Sequence, residues 1–131
     1  MQTHGKVLLK MALDVQLKIY MPEKPVLDKK VYRVVLPTDE KTLTVIKDRA
    51  PTLLALDYGV VRILDESDNA VEEYFVAGGA VDIKENTCTI LTESAINRKD
   101  LNLEKAREMY SEFHNPFYEW LVKVFEENKA V

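Results

Sequence analysis

Cysteine and histidine are scarce in this sequence, which contains one cysteine and two histidines among 131 residues. A single cysteine cannot form a disulfide within the chain, and one cysteine with two distant histidines cannot supply the ligands of a zinc site. Hydrolytic chemistry would need a nucleophile, a base and an orienting group close together, whereas His4 and His114 each stand alone. We therefore expect no catalytic residue and no metal site. Cys88 lies in an alternating run, where we interpret it as a buried small hydrophobe.

Long apolar runs and an excess of basic residues are missing as well. The uninterrupted apolar stretches, such as residues 7–9, have only a few residues, whereas a membrane-spanning helix needs roughly 20. The formal net charge is -4, so the chain has no excess of positive charge to neutralise the phosphates of a nucleic acid. The N-terminal residues lack a signal-peptide core of adequate length. We interpret residues 1–14 as a disordered or start-site extension, because Met11 would also be a natural first residue.

Alternation with a period of two dominates the chain from residue 15 to residue 99. Val15, Leu17 and Ile19 fall on one side of an extended segment that has polar residues between them. The same alternation occurs at residues 32–36, 42–45 and 61–63. Residues that favour turns recur about every ten positions, a spacing typical of a β-sandwich or a barrel. The sequence therefore predicts a mainly β domain over residues 15–99.

The period changes after Asp100, where apolar residues become spaced three to four apart. Two such stripes are present, one at Leu103, Ala106 and Phe113 and the other at Phe117, Trp120, Leu121, Val124 and Phe125. Between them, His114, Asn115 and Pro116 supply a break, because the residue before a proline avoids the helical region and asparagine caps helices. The pattern predicts a short helical hairpin within residues 100–131. We expect its second stripe to pack on the first helix and on the β domain.

Three blocks in a fixed order resemble the epsilon subunit of F-type ATP synthases, which is equivalent to the mitochondrial delta subunit. The first block, at residues 50–63, is Ala-Pro followed by a leucine-rich strand and a glycine turn. The second, at residues 74–91, is a strand with a double glycine and the strand after it. The third, at residues 92–101, is the link between the β domain and the helices. The resemblance implies an antiparallel β-sandwich of about ten short strands followed by a helical hairpin. It also implies a non-catalytic rotor subunit, peripheral to the cytoplasmic side of a bacterial inner membrane, that couples proton or sodium transport to ATP synthesis.

The resemblance further implies two partners, the gamma subunit and the membrane c-ring. The loop containing Asp39, Glu40 and Thr42 aligns with the family loop that faces the c-ring. The gamma-binding residues implied are Arg49, which stands where the family has histidine, and the double glycine, Gly78 and Gly79. The residues alone indicate a bulge or bend at the double glycine, because glycine inside a strand pattern permits either.

Aromatic residues near the centre of such an interface would contribute most to binding. Tyr58 and Tyr74 are the candidates, and the sequence leaves open whether either side chain faces outward.

Some family members bind ATP on the hairpin, through a pattern that Leu103, Glu104 and Arg107 match in part. Glu104 replaces an aspartate, and Glu108 replaces an alanine and adds a charge that repels phosphate. We therefore expect the protein to bind no cofactor, and the alternative is that it binds ATP. Two other functions remain open from the sequence, namely a stand-alone β-sandwich adaptor and an ATP-sensing regulatory module.

Overall fold

The computed structural model describes residues 15–38 and 42–127. Its strands are β1 (Val15–Met21), β2 (Lys24–Val31), β3 (Arg33–Pro37), β4 (Thr42–Val45), β5 (Thr52–Leu64), β6 (Ala70–Lys84), β7 (Thr87–Leu91) and β8 (Ala95–Asn97). A 3₁₀ turn (Arg98–Asp100) and two helices follow, α1 (Leu103–Phe113) and α2 (Pro116–Glu127). The predicted mainly β body with a C-terminal helical hairpin is confirmed.

Two long strands, β5 and β6, divide the sheet into two layers. They pair along their length, but the pairing is interrupted between Leu56↔Gly79 and Tyr58↔Ala77. On one side of the interruption the β6 strand pairs with β7, which continues to β1 and β2; we call this layer one. On the other side β6 pairs with β8, and β5 pairs with β3, which continues to β4; we call this layer two. Counting β5 and β6 once in each layer explains why the eight continuous strands correspond to about ten short segments in the sequence pattern.

The main core lies between the two layers and follows the predicted alternation. Val15, Leu17 and Ile19 are fully buried, whereas the residues between them are half-buried. The opposite layer contributes Val34, Leu36, Val61 and Ile63 to the same cluster. Cys88 also belongs to this core, and its burial raises the pKa of the thiol to about 12. Its interpretation as a small core hydrophobe is therefore confirmed.

The hairpin begins and turns where the sequence indicates. Asn102 caps α1, since its Oδ1 accepts a hydrogen bond from the Lys105 backbone N–H at 2.8 Å. The helix ends at Phe113, and the next residue, His114, takes the left-handed conformation with φ 50. Asn115 Oδ1 then accepts from the Phe117 N–H at 2.8 Å, so the predicted break is also the cap of α2.

A second apolar cluster fastens the hairpin to the outer side of layer two. Val60 and Phe75 come from the sandwich, and Phe117, Leu121 and Val124 come from α2. Trp120 packs between them, with its ring centroid 6.2 Å from that of Phe75 and 6.0 Å from that of Phe117. The expected packing of the second stripe on the sandwich is confirmed, and this cluster shares no residue with the buried residues of the main core.

Candidate functional site

The predicted c-ring loop lies mostly outside the described part of the chain. Asp39 and Glu40 are not among the described residues. Thr42 is the first residue of β4, and it is exposed. The contact predicted for this loop stays a prediction.

The predicted gamma-binding residues lie at two separate places, and their contact with gamma stays a prediction. Asp48, next to Arg49, donates its backbone N–H to Asn86 Oδ1 at 2.6 Å, which places this loop at the β6–β7 turn. Gly79 lies at the other end of the layer-one half of β6, roughly 20 Å away at the usual rise of a strand. Arg49 and the double glycine therefore mark opposite ends of layer one.

The double glycine permits the sharp crossing of β6 between the layers. Gly78 has φ 79 and Gly79 has φ 132, both in regions that L side chains rarely adopt. A Cβ on Gly79 would lie 2.0 Å from the Leu91 carbonyl oxygen, so the backbone of β7 occupies the space that a side chain would need. The bend expected from the sequence is present, and a structural role accounts for both residues.

Between these two ends, layer one presents an exposed apolar surface that the sequence analysis did not single out. Leu53 is 79% exposed and Leu91 is 55% exposed. Ala80 lies directly between Ala55 and Leu91 in the strand register, and Leu91 is the partner of Tyr20. We call the surface formed by these five residues the layer-one face; they are Tyr20, Leu53, Ala55, Ala80 and Leu91. Since neighbouring strands lie about 4.8 Å apart, its apolar row crosses four strands over roughly 15 Å.

The layer-one face continues into a depression and has a polar margin. The depression has a volume of about 720 Å³ and is lined by Tyr20, Pro22, Pro25, Gly79 and Leu91, among others. In the row beside the apolar one, Leu53 is followed by Asp82, Thr89 and Lys18. An apolar centre with charges at its margin is the usual anatomy of a protein–protein interface.

A signal for this face was present in the sequence. Residues 53–56 are apolar at four consecutive positions (Leu-Leu-Ala-Leu), so both sides of the strand are apolar. A strand with one side in water would alternate instead.

The two tyrosines expected at an interface centre have other roles. Tyr74 is only 5% exposed and belongs to the main core, so its side chain is not available to a partner. Its hydroxyl donates to Glu72 at 2.9 Å, and burial together with that carboxylate raises the pKa of Tyr74 to about 12. Tyr58 is 41% exposed, but its ring packs on Phe117 and Trp120 and so supports the hairpin.

The three residues of the partial ATP pattern lie together on α1. Leu103, Glu104 and Arg107 line a depression of about 720 Å³ with Glu108 and Glu112. Arg107 donates to Glu126 on α2 at 3.0 Å, so its guanidinium is already engaged by a carboxylate. Three glutamates around one paired arginine make this depression acidic.

Across residues 15–38 and 42–127, no group of histidine, cysteine, aspartate and glutamate side chains is arranged to hold a metal ion. Neither α1 nor α2 has the length and apolar character that crossing a membrane requires.

Comparison with known proteins agrees with this architecture. Residues 14–98 match the family described as the ATP synthase delta/epsilon chain, beta-sandwich domain. An ATP synthase epsilon chain from Rhizobium rhizogenes is 37% identical over 95 residues, which are 72% of this chain and 70% of the relative.

Two solved structures share the fold. In the mitochondrial ATP synthase of Euglena gracilis, one chain superposes with a TM-score of 0.64 at 19% identity, covering 76% of this chain and 63% of that one. In the central stalk and c-ring of the Tetrahymena thermophila mitochondrial enzyme, one chain gives a TM-score of 0.57 at 20% identity, covering 88% and 96%. With the family match over the sandwich and the identity to the bacterial relative, these findings establish that the chain belongs to the ATP synthase delta/epsilon family.

Proposed function

We propose that this protein is a non-catalytic central-stalk subunit of an F-type ATP synthase, which docks on the gamma subunit through the layer-one face. The observation that carries the docking site is the exposure of two large aliphatic side chains, Leu53 and Leu91, on the same side of layer one. Burying large aliphatic side chains at the centre of an interface contributes much of its binding free energy. Gamma is the partner we propose because the relatives are epsilon chains and one structural neighbour is a central-stalk assembly.

The loop at residues 38–42 is proposed to contact the c-ring, as its alignment implies. It leads into β4 of layer two, whereas the layer-one face lies on the opposite layer. Two partners on different surfaces would fix the subunit between shaft and ring and so transmit torque. In this role the protein makes and breaks no covalent bond. We propose that it lies at the cytoplasmic side of a bacterial inner membrane, where the complex holds it. The coupling ion is either the proton or the sodium ion.

The test is binding of the purified chain to a gamma subunit from the same organism. Leu53→Asp and Leu91→Asp are each expected to weaken binding about 30-fold, because each removes an apolar anchor and adds a charge that must be desolvated. Val71→Asp is the matched control, since Val71 is 61% exposed but lies outside the layer-one face. Thermal unfolding of all three variants should stay close to that of the wild type.

The outcomes separate the alternatives. If both leucine variants bind gamma with the affinity of the wild type, another surface of the protein docks on gamma. Absence of binding by the well-folded wild type would favour the stand-alone adaptor.

We also propose that the protein acts without a bound nucleotide. Millimolar ATP is expected to leave the melting temperature unchanged, because the acidic surface around Arg107 disfavours a triphosphate and a ligand that binds only the folded state must stabilise it. Differential scanning fluorimetry with and without Mg-ATP measures this. A concentration-dependent rise that Arg107→Gln abolishes would establish the ATP-sensing alternative.

A further inference from the structure

The carboxylate of Glu73 joins two strands of layer two to the link that leaves the sandwich. Arg62 on β5 donates its Nε–H to Oε2 at 2.7 Å, and Arg98 in the 3₁₀ turn donates from Nη1 to Oε1 at 2.5 Å. The Glu73 side chain is only 13% exposed. Both oxygens are used in charge-assisted hydrogen bonds, which are screened less at a partly buried position than on an open surface.

These three residues, which we call the Glu73 triad, lie at the margin of the surface that the hairpin covers. Residues two apart along a strand share a face, so Arg62 lies on the side of Val60 and Glu73 lies on the side of Phe75. Val60 and Phe75 belong to the apolar cluster beneath the hairpin. The triad is thus the polar edge of the contact between sandwich and hairpin.

Besides the triad, the link is held by a short strand pairing, by a hydrogen bond from the Ala77 N–H to the Ser94 carbonyl oxygen at 3.0 Å, and by Ile96, which packs against the second cluster. The β8 strand has three residues, and it pairs with β6 only through Tyr74↔Asn97, Phe75↔Ile96 and Val76↔Ala95. The hydrogen bond from Asn97 Nδ2 to Glu72 is long, at 3.5 Å. Short edge strands of this kind open readily, and the bond to Arg98 lies just after the end of β8 from which the chain continues into the hairpin.

We propose that the Glu73 triad is a clasp that keeps residues 95–100 part of the sandwich and thereby holds the hairpin in its docked position. The first residues at which the hairpin can pivot are then Leu101 and Asn102, after the clasp. Leu101 is buried in the second cluster and Asn102 caps α1, so the hairpin begins directly after this point. The clasp is a property of the isolated chain and does not depend on any partner proposed above.

Hydrogen exchange of the full chain, followed by mass spectrometry, tests the clasp. Arg98→Gln is expected to raise exchange of the amides at residues 95–101 about tenfold, because it removes a hydrogen bond between charged groups. Exchange in β1 and β7 should not change. Arg107→Gln is the matched control: it breaks an exposed arginine–glutamate pair within the hairpin and should leave the link as in the wild type.

Glu73→Gln supplies a second test, because it leaves two guanidinium groups facing a neutral amide. Its effect on the link should be at least as large as that of Arg98→Gln, and combining the two substitutions should add little further exchange. Link exchange in Arg98→Gln equal to that of the wild type would overturn the proposal. If Glu73→Gln unfolds the sandwich, Arg98→Gln decides alone, because it removes only one of the two hydrogen bonds and leaves Glu73 paired with Arg62.

Discussion

Replacing Gly79 with alanine is expected to destabilise the sandwich by about 3 kcal/mol. The new Cβ would lie 2.0 Å from the Leu91 carbonyl oxygen and 3.1 Å from Thr92 Cα, so β6 and β7 would have to move apart. The backbone at φ 132 adds strain for any L side chain. Urea unfolding followed by circular dichroism measures the loss as a lower midpoint with an unchanged slope.

Gly78→Asn is the matched control for that substitution. Gly78 has φ 79, near the left-handed region that asparagine tolerates, and a Cβ there would approach the Leu56 carbonyl oxygen only to 3.0 Å. We expect a loss of about 1 kcal/mol. Equal stability of the two variants would contradict the view that the close approach of β7, and not the bend alone, requires glycine at position 79.

The Gly79 substitution also bears on the proposed docking. The carbonyl oxygen of Leu91 is the atom that a Cβ at position 79 would clash with, and the Leu91 side chain is an exposed part of the layer-one face. A shift of β7 therefore displaces an anchor of the face. Loss of gamma binding in Gly79→Ala would follow from this movement without a direct contact from the glycine.

Local pattern was sufficient to predict most of the fold. Val15, Leu17 and Ile19 alternate because one side of β1 packs on the opposite layer, and periodicity of this kind is visible in any single strand. The helix break was equally local, since Asn115 caps the helix that it precedes. Such features depend on residues close in sequence.

The surfaces could not be predicted in the same way, because they depend on which strands become neighbours. Ala55, Ala80 and Leu91 are far apart in sequence, and only the register of β5, β6 and β7 places them in one row. Glu73 and Arg98 are likewise 25 positions apart. Tyr74 was a candidate for an interface because it is aromatic, and the alternation along its strand does not show which side faces the core.

The second large effect is expected at Leu121 in α2, which is fully buried in the cluster beneath the hairpin. Leu121→Asp would bury a carboxylate without a partner, at a cost of about 4 kcal/mol. Detaching the hairpin avoids that cost, because the aspartate then reaches water. We therefore expect the hairpin to leave the sandwich while the sandwich itself stays folded.

Trp120 reports this separation directly, since it is the single tryptophan of the chain and packs against Tyr58, Phe75 and Phe117. Its fluorescence should shift to longer wavelength in Leu121→Asp, while the β-sheet signal in circular dichroism and its thermal transition are retained.

Lys123→Asp is the control, because it adds the same carboxylate at an exposed position of the same helix. The sandwich should survive because the buried residues of the two clusters are distinct. Simultaneous loss of both signals would instead mean that the two clusters unfold as one core, and that the sandwich needs the hairpin for its stability.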